Sequence, residues 1–190
     1  CRLADMVILD TNAHIDFFVR EFHLPRDKFQ RIFLGANTAL HAPRPHEKSS
    51  QEFTVLFWGS FIPLQGTEYI LEAARLLRDE NIQFILIGDG QKRARDMQEA
   101  QRLQITNVQF PGKVSDEALI DYIRNADVCL GAFSEGQKAD ITIQNKIFET
   151  LASRKPLITM RTTAIGELLT DGKQCLLCEK ANPEDLAKKI

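Results

Sequence analysis

Short apolar runs rich in β-forming residues alternate with helix-spaced apolar residues along almost the whole chain. This alternation limits the possible fold more than any other feature of the sequence. The first unit expects a strand at 6–9, a helix marked by Ile15, Phe18, Val19 and Phe22, and a strand at 31–34 ended by Gly35. From residue 53 the pattern becomes regular. Strands are expected at 53–58, 84–87, 108–110, 128–133, 157–160 and 175–178. Between them lie a helix through Ile70, Ala73, Ala74 and Leu77 with Thr67 as N-cap, and a polar helix over 92–103. Ser115 caps a further helix, with Asp116 and Glu117 in its first turn, and Ile143, Ile147, Phe148 and Leu151 mark another. Strands that read as continuous apolar runs are buried on both faces. Strand and helix in strict alternation therefore predict an α/β fold, a doubly wound parallel sheet of Rossmann type.

One stretch breaks the pattern. Residues 41–52 read HAPRPHEKSSQE, with two prolines and almost no apolar side chains, so they cannot contribute a core. We read them as a linker, with an ordinary long loop as the alternative. The expected organisation is a strand–helix–strand remnant over 1–40, a linker over 41–52 and one domain over 53–190. Neither end reads as a natural boundary. The chain opens on Cys1 without a signal peptide, and residues 185–190 stop inside a helical pattern, so a piece of a longer protein is expected.

With 44% apolar residues in 190, the chain can bury a sizeable core. Lysine plus arginine (24) nearly balances aspartate plus glutamate (26), which argues against a general nucleic-acid binder. The four cysteines at 1, 129, 175 and 178 suit a reducing compartment. Cys175 and Cys178 have redox-like spacing, but on a strand their sulfurs face opposite ways, and no second ligand pair exists. The four histidines show no metal-ligand spacing. The phenylalanines between 17 and 33 read as core, or as a surface left bare by missing upstream sequence.

In doubly wound sheets ligands bind beyond the carboxyl ends of the strands, and three segments there can carry chemistry. Gly59, Ser60 and Gly66 fall between a strand and a helix whose first N–H groups, near Thr67, could face an anion. A plain tight turn is the competing reading, and neither a Walker loop nor a GxGxxG turn is present. Gly88-Asp89-Gly90 follows the next strand and could lie against a ligand, or be a common turn. Third, the 128–133 strand leads into Lys138 and then into a helix carrying Asn145, Lys146 and Glu149. Lys146 and Glu149 stand three apart on one helix face. They could form an exposed ion pair worth little, or offer a cation to a phosphate and a carboxylate to sugar hydroxyls.

These segments together resemble a known family. Phe57-Trp58-Gly59 followed by Gly66, Ile85-Leu86-Ile87-Gly88-Asp89-Gly90, Val108-Gln109-Phe110-Pro111-Gly112-Lys113-Val114, the run from Asn145 to Thr159, and Ile165-Gly166-Glu167 through Gly172 occur in the order seen in one group. That group is the retaining, glycogen-synthase-like (group 1) GT-B glycosyltransferases, and the match is to their C-terminal domain. Residues 3–38 resemble the last strand–helix–strand of that family's N-terminal domain. The resemblance implies a nucleotide-sugar donor and an acceptor hydroxyl on a glycan or lipid-linked sugar. It implies neither cofactor nor metal, a cytoplasmic setting, and room for peripheral association with the cytoplasmic face of a membrane. It also implies an N-terminal domain as intramolecular partner, without which this chain would not catalyse transfer.

Carried over residue by residue, Glu149 matches the carboxylate that accepts from the donor ribose hydroxyls. Gly59 matches the turn beside the diphosphate, with Ser60 and Gly66 in the same loop. Gly88, Asp89 and Gly90 lie beside the nucleotide, and the segment containing Lys113 and Val114 meets the base. Asn145 opens the Glu149 helix. The chain departs from the common pattern at three places. Ser60 and Gln65 stand where an arginine and a lysine are usual, and Ile141 replaces a first glutamate eight positions before Glu149. Lys138 and Lys146 are the nearest replacements for the missing charge, and are the expected catalytic cations. The same departures motivate a rival reading, a non-catalytic nucleotide-sugar-binding or interaction domain. A third reading is a different doubly wound enzyme using phosphate ligands. The absence of a GxGxxG turn argues against a bound dinucleotide.

Overall fold

The computed structural model describes residues 1, 3–43 and 52–190, so positions 44–51 of the expected linker lie outside the described residues. The first unit is β1 (Val7–Leu9), α1 (Asn12–Phe22), a 3-10 turn and β2 (Phe29–Arg31), with β1 and β2 parallel and Val7 opposite Phe29. β2 therefore starts earlier than the apolar run at 31–34 suggests. Ile32 still donates to the Leu9 carbonyl at 2.9 Å. Phe33 then leaves the sheet and packs on the second unit, with the Arg31 guanidinium 4.2 Å from its ring centroid. A helical turn, α2 (Thr38–His41), takes up the first residue of the expected linker.

The second unit runs β3 (Phe53–Trp58), α3 (Thr67–Leu76), β4 (Ile82–Ile87), α4 (Arg93–Arg102), β5 (Val108–Gly112), α5 (Asp116–Asn125) and β6 (Val128–Leu130). It continues α6 (Gln137–Ile141), α7 (Asn145–Ala152), β7 (Leu157–Met160), α8 (Thr163–Gly166), β8 (Leu176–Cys178) and α9 (Pro183–Lys189). The six strands pair in parallel in the order β5-β4-β3-β6-β7-β8. This is the expected doubly wound order, with its switch point between β3 and β6.

Side-chain alternation along the strands divides the core. Val55 and Phe57 of β3, Phe84 and Leu86 of β4 and Cys178 of β8 join Ile70, Ala73 and Ala74 of α3 on one face. Leu56 and Trp58 of β3 meet Ile123 and Ala126 on the other, beside α5. Farther along that second face, α7 and α8 cover Leu157, Cys175 and Leu177. Cys175 and Cys178 thus lie in separate clusters on opposite faces, as strand geometry requires.

Two local expectations are corrected. The run at 128–133 is apolar throughout, yet regular pairing stops at Leu130. Beyond it the backbone serves two neighbours: Gly131 N–H reaches Ile158 O at 2.9 Å, while Phe133 N–H turns to Gln65 O at 3.0 Å. Thr67 does not cap α3. Gly66 holds the N-cap position at φ +66°, where a β-carbon would come within 2.6 Å of the Ser134 backbone. Glycine is the residue that tolerates both constraints. Thr67, fully buried, donates its hydroxyl to Asp96 of α4 instead. Burial in turn raises the Asp96 carboxyl above its usual range, against the hydrogen bond from Thr67.

Candidate functional site

The ends of β3, β4 and β5 converge through backbone contact. Gly59 N–H donates to Ile87 O at 3.0 Å, and Gly88 N–H to Gly112 O at 2.8 Å. A β-carbon on Gly88 would lie 1.9 Å from the Gly59 carbonyl oxygen, and one on Gly90 2.6 Å from that of Phe61. Both glycines have positive φ. Their identity is thus explained by loop meeting loop, and the Asp89 side chain accepts from Gly90 N–H at 2.8 Å. The result is a tight floor formed by the turns after β3 and β4, with Ser60 and Asp89 exposed above it.

α7 delivers two charged groups to this floor. Lys146 is only 5% exposed, and its ammonium donates to Gln65 Oε1 at 2.6 Å. The same nitrogen lies 3.8 Å from the centroid of the Phe57 ring, a contact that favours a cation. It also lies against Gly59, where a β-carbon would stand 2.9 Å from Nζ. Burial pulls the Lys146 pKa down to about 7, with the charge of Glu149 acting in the opposite direction.

Glu149, one turn further on and half-buried, accepts from the indole Nε1 of Trp58 at 2.8 Å. An exposed Lys146–Glu149 ion pair is therefore not what forms. Each group is held by a different partner from β3 or the turn behind it. Asn145 is exposed at the first turn of α7, whose N-cap Gln144 makes no side-chain capping bond.

The other expected residues are more dispersed. Lys138 is exposed on α6. Ile141 offers no carboxylate, and its neighbour Asp140 is already engaged by Thr163 and Lys180. Lys113 is exposed after β5, while Val114 packs against the cluster that contains Trp58. Arg93 of α4 braces this segment by donating to Phe110 O at 3.1 Å. Sequence reading missed Trp58, Phe57 and Arg93 as parts of the site. Gln65 it registered only as a lost cation. Among the described residues no three His, Cys, Asp or Glu side chains gather where a metal could sit, and no helix is long and apolar enough to cross a membrane.

The two units meet where the start of α1 packs against α6 and α8. Glu167, at the end of α8, accepts from the N–H groups of Asn12 and Ala13 at 2.8 Å each and pairs with Arg31 at 3.2 Å. Thr11 caps α1 by accepting from His14 N–H at 3.0 Å and donates its own hydroxyl to Ile141 O. The start of α1 is thus held by groups from both sides.

Comparison with known proteins gives the family and the fold. Residues 52–190 match the family model described as Glycosyl transferases group 1. Over 136 residues, 71% of this chain, it is 29% identical to an uncharacterized glycosyltransferase of Methanocaldococcus jannaschii. Over 116 residues, 60% of the chain, it is 34% identical to Escherichia coli WcaI, whose description reads "Putative colanic acid biosynthesis glycosyl transferase". The chain spans 36% and 28% of the length of these two relatives. Among solved structures, Anabaena HepE in complex with UDP-glucose superposes with a TM-score of 0.85 at 19% identity. That alignment covers 99% of this chain and 53% of HepE. At such identity the likeness is one of fold, and it extends across both units.

Proposed function

We propose that this chain, which belongs to the group 1 glycosyl transferases, is the donor-binding half of an enzyme that moves a sugar from a nucleotide-sugar to an acceptor hydroxyl. The observation that carries the reading is the placement of Lys146 and Glu149. One helix brings a buried ammonium against Gly59 and a carboxylate beside the end of β3, at the switch point of the sheet.

In this reading Glu149 accepts from the vicinal hydroxyls of the donor ribose. The segment at Lys113 and Val114 faces the base, and the Gly59, Ser60 and Gly66 turn receives the diphosphate, with Gly88, Asp89, Gly90 and Asn145 around it. As the bond between the sugar and the terminal phosphate breaks, negative charge grows on the departing diphosphate. Lys146 opposes that charge from beneath Gly59, Lys138 from solvent, and the first turn of α3 adds its N–H groups. The role usually given to cations at positions 60 and 65 passes to α7, and Gln65 becomes the holder of the lysine. Transfer proceeds with retention and without a metal.

The whole protein supplies more than this chain. Residues 1–40 form the end of an acceptor domain, joined through 41–52 to the donor domain at 53–190. The chain alone binds donor but does not transfer. HepE, of the same fold, was crystallised with UDP-glucose, so a UDP-sugar is the first donor to test. The relatedness to WcaI supports an acceptor in polysaccharide biosynthesis. The proposed setting is the cytoplasm or the cytoplasmic face of a membrane.

Calorimetry with UDP, ADP and GDP tests the reading. At least one should bind, and Glu149→Ala should weaken it about 10–100-fold. Transfer by the whole protein, with the anomeric configuration of the product read by NMR, tests the chemistry. No binding of any of the three nucleotides, or an inverted product, would overturn the corresponding claim.

A further inference from the structure

Among the groups around α7, one performs a task that no comparison assigns. Trp58 is the last residue of β3 and is 6% exposed. It packs among Leu56, Ile87 and Ile123, with Val114 against the same cluster. A tryptophan buried at a strand end needs a partner for its one N–H. Here that partner is Glu149 Oε2, at 2.8 Å and 91 residues away. An aliphatic residue would fill the same space without tying the carboxylate down.

We infer that Trp58 is a positioning residue that fixes the Glu149 carboxylate for ribose recognition and couples it to the base-facing segment at Val114. The inference rests on the reading of Glu149 as the ribose ligand. A carboxylate has about four acceptor positions on its two oxygens. The indole N–H occupies one, on Oε2, and orients the group, leaving Oε1 and the second position of Oε2 for two hydroxyls. A glutamate free to rotate would lose ordering entropy on binding, which the indole removes beforehand. Because Trp58 also touches the Val114 cluster, a displaced base segment would be felt at the carboxylate. Ribose and base recognition then act as one unit.

The test separates positioning from general packing. Trp58→Phe keeps an aromatic ring and removes the N–H. Calorimetry compares the tightest binder among UDP, ADP and GDP with its 2′,3′-dideoxy analogue, for native protein and variant. The native protein should prefer the ribonucleotide. The variant should lose about tenfold for the ribonucleotide and less than about twofold for the dideoxy analogue. Equal losses for both, or no loss for either, would overturn the positioning role. Failure of all three ribonucleotides to bind native protein would remove the underlying site reading, and this inference with it. Should Trp58→Phe not fold, Glu149→Gln gives an independent readout, because Trp58 is the only tryptophan in the chain. Its emission should shift when the carboxylate beside the indole becomes an amide, and unchanged emission would overturn the contact.

Discussion

The ammonium of Lys146 and the side-chain oxygen of Gln65 lie 2.6 Å apart, joining α7 to the turn before α3 across 81 residues of sequence. Gln65 is itself 8% exposed, so the pair is enclosed. Burying an ammonium costs stability unless something offsets it. Gln65, the Phe57 ring and the nearby Glu149 carboxylate all offset it in part. In the proposed reading, a cation kept at such cost at the carboxyl edge of the sheet serves the donor diphosphate.

The first prediction concerns stability against pH. The folded chain holds the Lys146 pKa near 7, against about 10.4 in an unfolded chain. Between those values the unfolded state carries a proton that the folded state has released, so stability gained from this group rises with pH. Below about pH 7 the full burial cost is present. Lys146→Met should therefore stabilise the ligand-free protein at pH 6 by about 1–2 kcal/mol, with the difference shrinking towards pH 9. Urea unfolding at several pH values measures it. A difference independent of pH would show that the ammonium is not depressed by burial.

The second prediction concerns binding. A diphosphate beside Lys146 favours its charged form, so binding above pH 7 should take up a proton. Calorimetry in buffers of different ionisation enthalpy should detect that uptake, and nucleoside diphosphate affinity should fall as pH rises from 7. Lys146→Gln should lower affinity for the diphosphate about tenfold or more, and for the bare nucleoside much less. Lys138→Gln, from an exposed position on α6, should act in the same direction but more weakly. Equal losses for nucleoside and diphosphate would refute a phosphate role for either lysine.

How much of this was legible in the sequence follows from how local each feature is. Alternating apolar runs gave the sheet and its helices, because strand and helix periodicity are properties of neighbouring residues. The opposite facing of Cys175 and Cys178 follows from the same period. Glu149 and the glycine turns were singled out by a family resemblance, through the order of motifs along the chain. Trp58 was not, since its partner is 91 residues away and its apolar surroundings read as core. Gln65 looked like a missing cation, because only the fold brings Lys146 to it. The end of β6 misled for the same reason: Phe133 has the composition of a strand, but its N–H is claimed by Gln65 from a distant turn.

The third prediction concerns the glycine packing that forms the floor of the site. Gly88→Ala places a β-carbon 1.9 Å from the Gly59 carbonyl oxygen, at φ +130°. Strain and overpacking together should cost about 2–5 kcal/mol. Gly166→Ala, with no atom within 4 Å of the added carbon and an ordinary φ, should be near neutral. Chemical denaturation of the two variants compares them directly. Similar stabilities would mean that the turns after β3 and β4 do not pack backbone to backbone.

The last prediction concerns how the two units are held. The first N–H groups of a helix lack intrahelical partners and carry partial positive charge, so a carboxylate there both bonds and complements the dipole. α1 obtains that carboxylate from α8: Glu167 takes the N–H groups of Asn12 and Ala13, while Thr11 takes that of His14. Glu167 also pairs with Arg31 on β2, so one side chain contacts both the helix and the strand of the first unit. Glu167→Ala should destabilise α1 by about 1–3 kcal/mol, since two charge-assisted bonds are lost from a partly buried site. Hydrogen exchange would localise the effect. Amides of residues 15–22 should lose protection, while those of β3 and β4 keep theirs, because those strands draw their stability from a separate core. Uniform loss across both units would mean that Glu167 supports the whole fold, and unchanged protection that the cap contributes nothing. The localised result would make Glu167 a support of α1 beside the Thr11–Ile141 bond and the packing of Phe33, and the same variant would show whether donor affinity depends on it.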